Sequence, residues 1–215
     1  MDKVSFPTTL QEVKNLIARN PLPSEPESTP KWGKAQRLNV SSLDHTFENW
    51  KTSPGTMPAY RACLNFAKNL KPPLLLVHGG TGNGKSFLIE AVSLALYDRG
   101  YKVRVIIWNQ FTGLLQRAFD NREEMLNFDQ LMTNYSQARI LLLDDYGMGI
   151  KNTEWQESIL ERIIDYRYHQ WLPTILTTNR TLDKLPVRVV SRFSDPERSV
   201  LIENKGGDYR RMVKG

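Results

Sequence analysis

The sequence predicts a parallel α/β domain built on a doubly wound, five-stranded sheet, and three observations carry that expectation. Short aliphatic runs alternate with amphipathic stretches of helical length. One run, Leu74 to Val77 closed by His78, leads straight into a glycine-rich loop, Gly79 to Ser86, that opens a helix. Another, Ile140 to Leu143, is apolar throughout and ends in two adjacent aspartates, as a strand buried on both faces does. At 215 residues the chain accommodates one such domain and an appendage. The lone cysteine, Cys63, rules out an internal disulfide and lies on an apolar helix face, the place of a buried thiol. His45, His78 and His169 show no metal-ligand spacing. No run approaches the ~20 apolar residues of a membrane span, and the N-terminus lacks an apolar signal core, so a cytoplasmic location is expected. A net charge of +6 favours an anionic partner.

Taken in order, residues 1 to about 19 place Leu10, Val13, Leu16 and Ile17 on one helical face, and Pro21, Pro23, Pro26 and Pro30 then mark a linker. The chain therefore divides into an N-terminal helix and linker, 1–42, and the α/β domain, 43–215. The helix either caps the domain or docks a partner. Tyr60, Cys63, Leu64, Phe66, Ala67 and Leu70 predict a helix over Pro58 to Leu70. After the glycine-rich loop, Phe87 to Leu96 continue as a helix that stops at Gly100. Lys102 to Trp108 read as a strand, Phe111 to Phe119 and about Arg122 to Gln137 as helices, and Trp155 to Trp171 as a helix following the aspartates. Pro173 to Thr178 and Ser199 to Glu203 complete the five strands, with a short helix from Leu185 to Arg192 before the last.

The loop Gly79-Gly80-Thr81-Gly82-Asn83-Gly84-Lys85-Ser86 is a complete G-x-x-x-x-G-K-[ST] phosphate loop followed by Phe87. Its glycines let backbone N–H groups turn toward phosphates, Lys85 supplies a charge to the β and γ oxygens, and the Ser86 hydroxyl suits Mg²⁺. Phosphate would sit at a helix N-terminus. ATP and Mg²⁺ are the expected cofactors. Hydrolysis also needs a carboxylate toward the metal and a group that orients water. Asp144 and Asp145, at the end of the apolar strand, are the candidates in that order.

The order of Thr46-Phe47-Glu48-Asn49-Trp50, the phosphate loop, Leu-Leu-Leu-Asp144-Asp145-Tyr-Gly147, Thr-Thr-Asn179, Ser-Arg192-Phe and Asp208-Tyr-Arg-Arg211 resembles the DnaC/DnaI/IstB group of AAA+ ATPases over about Thr46 to Arg211. These are bacterial helicase loaders and transposition helpers. The resemblance implies a fold without a full C-terminal lid, and a sensor role for Asn179 beside the γ-phosphate. It gives Arg192 the role of an arginine finger acting on a neighbouring subunit, with Arg188 as runner-up, and leaves Arg210 and Arg211 as weak candidates for nucleotide sensing. It places Phe47 and Asn49 against the adenine. It also directs nucleic acid to the helices between the second strand and Asp144, where Phe111, Gln116, Arg117 and Arg122, with Gln110 and Asn121, suit a single strand's phosphates and bases. Arg162, Arg167 and Tyr168 are weaker contacts.

The resulting expectation is an ATP-hydrolysing helicase loader of DNA replication that assembles as a homo-oligomer on single-stranded DNA and engages a replicative helicase. An IstB-like helper acting with a transposase on target duplex is the alternative. A small-molecule P-loop kinase or a non-hydrolysing adaptor comes further behind.

Overall fold

A computed structural model describes residues 38–120, 128–147 and 153–208. The N-terminal amphipathic stretch, Asn121, Arg122, Arg210 and Arg211 lie outside these residues. In chain order the elements are α1 (Met57–Asn69), β1 (Leu74–His78), α2 (Lys85–Asp98), β2 (Val103–Ile107), α3 (Trp108–Asp120), α4 (Phe128–Ser136), β3 (Ile140–Tyr146), α5 (Glu154–His169), β4 (Thr174–Thr178), α6 (Val187–Phe193) and β5 (Ser199–Glu203). A 3₁₀ turn, Leu182–Lys184, precedes α6.

All strand pairs are parallel, in the order β2-β3-β4-β1-β5. Alternate side chains enter opposite cores. Leu75, Val77, Ile140, Leu142 and Ile175 face α1 and α2, while Leu74, Leu76, Leu141, Leu143 and Leu176 face α3 to α6. Burial on both faces is why β1 and β3 read as continuous aliphatic runs rather than alternating ones.

Two elements depart from the sequence expectation. Trp108 begins α3 instead of ending β2, and its ring is buried between Phe111 and Tyr146. The described part of the expected helix of Arg122 to Gln137 is α4, Phe128–Ser136, and agrees with it. β3 continues past its aliphatic run through Asp144 and Asp145 to Tyr146, with its pairing to β4 shifting register between Leu143 and Tyr146. Asp144 and Asp145 both lie inside that irregularity, and Asp145 takes a φ of 63°. Such a bulge turns a side chain out of the pleat, and here that side chain is an acid.

α5 starts with a capping box. Thr153 Oγ1 accepts from the Gln156 N–H and Gln156 Oε1 accepts from the Thr153 N–H, each at 3.2 Å. Packing onto the domain begins upstream of residue 43, since Leu38 is buried and the Ser41 hydroxyl donates to Glu90 on α2 at 2.8 Å.

Candidate functional site

The phosphate loop closes over the C-terminal end of β1 and hands the chain to α2 through Gly84, whose φ of 91° only glycine adopts readily. A Cβ at Gly84 would also lie 2.6 Å from Cη2 of Trp50. The loop is fastened from beneath. Asn83 Nδ2 donates to the Asn204 carbonyl at 2.7 Å, and Asn204 Nδ2 returns a bond to the Asn83 carbonyl at 2.9 Å. Lys85 Nζ donates to the carbonyls of Gly79 (2.9 Å) and Gly80 (2.6 Å) and to Asn83 Oδ1 (3.1 Å). Burial lowers its pKa to about 8, against the opposing pull of Asp145 and Asp144.

The acids sit across the loop, and β4 organises them. Thr177 Oγ1 donates to Asp144 Oδ1 at 2.5 Å and accepts from the Asp145 N–H at 2.9 Å. Asn179 Nδ2 donates to Asp145 Oδ1 at 3.0 Å. Asp144 is buried, and burial raises its carboxyl above the usual carboxylate range, partly offset by hydrogen bonds from Thr177 and Ser86. The Ser86 hydroxyl and the Asp144 carboxylate therefore already face each other. One hydroxyl and one carboxylate match a Mg²⁺ that completes its shell with phosphate and water, so this pair fits the ion.

A cavity of about 510 Å³ joins these parts, lined by Thr81 to Phe87, Asp145 and Asn179 together with His45, Asn49 and Trp50. Gly79 and Gly80 enter the site through the carbonyls that hold Lys85. Asn49 lines the cavity, with its Nδ2 donating to the Asp44 carbonyl at 2.9 Å. Phe47 does not: it is buried in the α1–α2 core, edge-on to Tyr60 at 5.6 Å. Its aromatic neighbour Trp50 takes the place expected for it on the cavity wall.

Beyond the cavity, the structure separates the expected residues. Phe111 is buried against Trp108 and Tyr135 and offers no face to a base, whereas Gln110, Gln116 and Arg117 are exposed. Phe119, one turn beyond Leu115, is 68% exposed and was not singled out by the sequence. Arg167 is fully buried: its guanidinium donates to Thr174 Oγ1 and to the carbonyls of Ser136, Ala138 and Pro173 at 2.6–2.9 Å. That excludes it as a nucleic-acid contact. Arg192 lies in the last turn of α6, bonded to Asp165 of α5 at 2.6 and 2.8 Å and lying 4.7 Å over the Tyr168 ring. Arg188 is exposed on the same helix.

The sequence missed Thr177 as organiser of the acids, Asn204 as fastener of the loop, and the pair His45 and Glu90. Thr177 stood in the polar end of an otherwise apolar strand, and that was its signal. Glu90, inside a helical run, gave none.

β4 lies between the phosphate-loop strand β1 and the acid-bearing strand β3, the arrangement of an AAA+ P-loop domain. Residues 42–196 match the family model of the bacterial DnaA ATPase domain, and the chain belongs to that family. The chromosomal replication initiator protein DnaA of Pseudothermotoga lettingae is 31% identical over 154 residues, covering 69% of this chain and 34% of that protein. The replicative helicase loader DnaI of Bacillus subtilis is 23% identical over 159 residues, 71% of this chain and 49% of that one. A solved replication initiator DnaA, bound to AMPPCP and single-stranded DNA, superposes with a TM-score of 0.65 at 23% identity, covering 76% of this chain and 50% of that chain. The chain thus spans a third to a half of the length of these proteins.

Proposed function

We propose that the protein is an ATP-hydrolysing helicase loader of DNA replication that assembles on single-stranded DNA and completes each ATP site with Arg192 of a neighbour. The observation that carries this reading is the placement of Asp145, held at its carboxylate by Asn179 and at its backbone by Thr177, across a cavity from Lys85. Lys85 and the loop N–H groups bind and orient the triphosphate, and Asp145 orients or deprotonates the attacking water. Ser86 and Asp144 would hold Mg²⁺, which when bound neutralises charge between the β and γ phosphates.

Arg192 cannot serve its own site. Its carbonyl accepts from Ser199 Oγ at 2.6 Å, at the start of β5, while the cavity opens at the far ends of the strands. Four residues of parallel strand separate the two levels by about 13 Å. A catalytic role for Arg192 therefore requires a second copy. The exposed row Gln116, Arg117 and Phe119 on α3 supplies phosphate contact and a stacking ring for the strand.

The match to initiator proteins favours a second reading, an initiator-like ATPase acting on origin DNA without loading a helicase. Loader and initiator are separated by a binding assay. Purified replicative helicase, with ATP present, is retained by immobilised protein in the first reading and not in the second. Hydrolysis and assembly are tested together by turnover with and without single-stranded DNA across protein concentration; absence of turnover refutes hydrolysis, and a rate that ignores both DNA and concentration refutes assembly on the strand.

A further inference from the structure

On the side away from β5 the sheet ends in β2, and the N-terminal corner of that edge is basic. Lys102 immediately precedes β2 and Arg139 immediately precedes β3, and the pairing of Val103 with Ile140 brings the two entry points side by side. Arg104 follows as the second residue of β2. All three side chains are exposed, and among the described residues none has a carboxylate partner. Two of them rest on rings. Arg139 lies 5.9 Å from the centre of the Tyr101 ring, which Arg99 also meets at 5.2 Å, and Arg104 lies 4.9 Å from the centre of the Tyr135 ring. Arg99 is tied down in turn, donating to the Ala67 and Lys68 carbonyls in the last turn of α1, the latter at 3.0 Å.

We propose that Lys102, Arg104 and Arg139 form a docking strip for the phosphate backbone of duplex DNA, distinct from the exposed row on α3. Contact with a ring positions a guanidinium while leaving its N–H donors for phosphate oxygens. The rings themselves are taken: Tyr101 is met by two guanidiniums, and Tyr135 by Arg104 and, at 4.6 Å, by Phe111. Neither is offered to an unstacked base. Binding of a single strand without sequence preference leans on such stacking, whereas a duplex hides its bases and presents phosphates, which cations alone suffice to hold. The strip is also set apart in space. Phe128, which meets the exposed Phe119 at 6.2 Å, and Tyr135, which carries Arg104, stand near opposite ends of α4, about 10 Å apart along its axis. Charge on an edge strand also deters pairing with another sheet, but either sign serves that purpose. Only cations serve DNA.

Anisotropy titrations of the full chain with a labelled duplex and a labelled single strand of equal length, repeated across salt concentration, test the strip. The wild type binds two duplexes of unrelated sequence equally, as backbone contact requires. Lys102→Gln, Arg104→Gln and Arg139→Gln each weaken the duplex about fivefold at ~0.1 M salt and lower the logarithmic salt slope by about 0.9, the value of one phosphate contact. Affinity for the single strand moves less than about twofold. Lys184→Gln, which removes an exposed charge from the turn before α6, leaves both ligands as they were. Arg104→Glu keeps the edge charged, weakens the duplex further than Arg104→Gln, and provides the test should the neutral variants aggregate. If Arg104→Glu binds the duplex like the wild type, the cations only guard the edge and the proposal is wrong. Equal weakening by Lys184→Gln would reduce the effect to net charge, and equal weakening of the single strand would assign the strip to that ligand; either result overturns it, as does a wild type that does not bind the duplex. None of these outcomes bears on ATP hydrolysis or on the helicase, so the strip and the loader reading stand or fall separately.

Discussion

In the folded chain the Lys85 ammonium is buried against the carbonyls of Gly79 and Gly80, and burial brings its pKa to about 8 from 10.5. The unfolded chain therefore holds this proton more tightly between those values. With respect to Lys85, the ligand-free protein gains stability as pH rises from about 8 to 10.5. Triphosphate binding runs the other way, since the bound phosphates need the charged amine. Affinity is expected to stay level below pH 8 and to fall by up to about tenfold per pH unit above it. Titrations of wild type and Lys85→Ala between pH 7 and 9.5 check this: the variant starts at least ~100-fold weaker, the scale of a charge-assisted phosphate contact, and shows no such slope. Asp145 offers a complementary prediction. On the proposed role, in which its carboxylate acts on water and does not grip the nucleotide, Asp145→Asn lowers single-turnover hydrolysis by about 10²-fold while the nucleotide affinity moves less than threefold. A matching loss in affinity would assign Asp145 to binding instead.

Among the elements, β4 carries the most consequence per residue, because its first residue and its last two each tie it to something else. Thr174 accepts from the buried Arg167 of α5, Thr177 holds both acids, and Thr178 donates to the Tyr146 carbonyl at 2.8 Å. Among the described residues Arg167 has no carboxylate partner, and burial lowers its pKa to about 9. Its charge is tolerated because four carbonyls and a hydroxyl surround it. Arg167→Leu would strand those acceptors, each costing ~1–3 kcal/mol, and is expected to destabilise the fold by about 3 kcal/mol or more in urea unfolding. A change under 1 kcal/mol would show that water replaces the guanidinium. Periodicity made the sheet and most helices legible, since aliphatic runs and amphipathic stripes report burial directly. It could not show that β3 runs on through its acids, because the bonds that make a buried Asp144 tolerable come from β4, more than thirty residues away. The same blindness put Phe47 in the site and left Trp50 out. Within one aromatic segment, spacing does not say which ring faces the core and which the cavity. The phosphate loop and the two acids were legible because their chemistry demands fixed residue types at fixed spacing.

At the scale of the whole molecule, the nucleotide cavity and Arg192 occupy opposite ends of one sheet, and this polarity makes head-to-tail assembly the arrangement that would bring them together. Within a single copy Arg192 is engaged by Asp165 and Tyr168. Reaching a neighbour's γ-phosphate would mean leaving that pair. The pair is weak opposition: both side chains remain about one-third to one-half exposed, 32% for Arg192 and 46% for Asp165, and exposed ion pairs contribute roughly 0–1 kcal/mol. An arginine finger, by contrast, is worth 10³–10⁵ in rate where it acts. Turnover per subunit is therefore expected to rise steeply with protein concentration in the wild type and to stay flat in Arg192→Ala. Asp165→Ala should retain the rise and shift its midpoint by less than about fivefold, as loss of a weak cis restraint requires. If Arg188→Ala flattens the curve and Arg192→Ala does not, the finger is the exposed arginine one turn earlier. If all variants match the wild type at every concentration, the sheet's polarity serves no shared site.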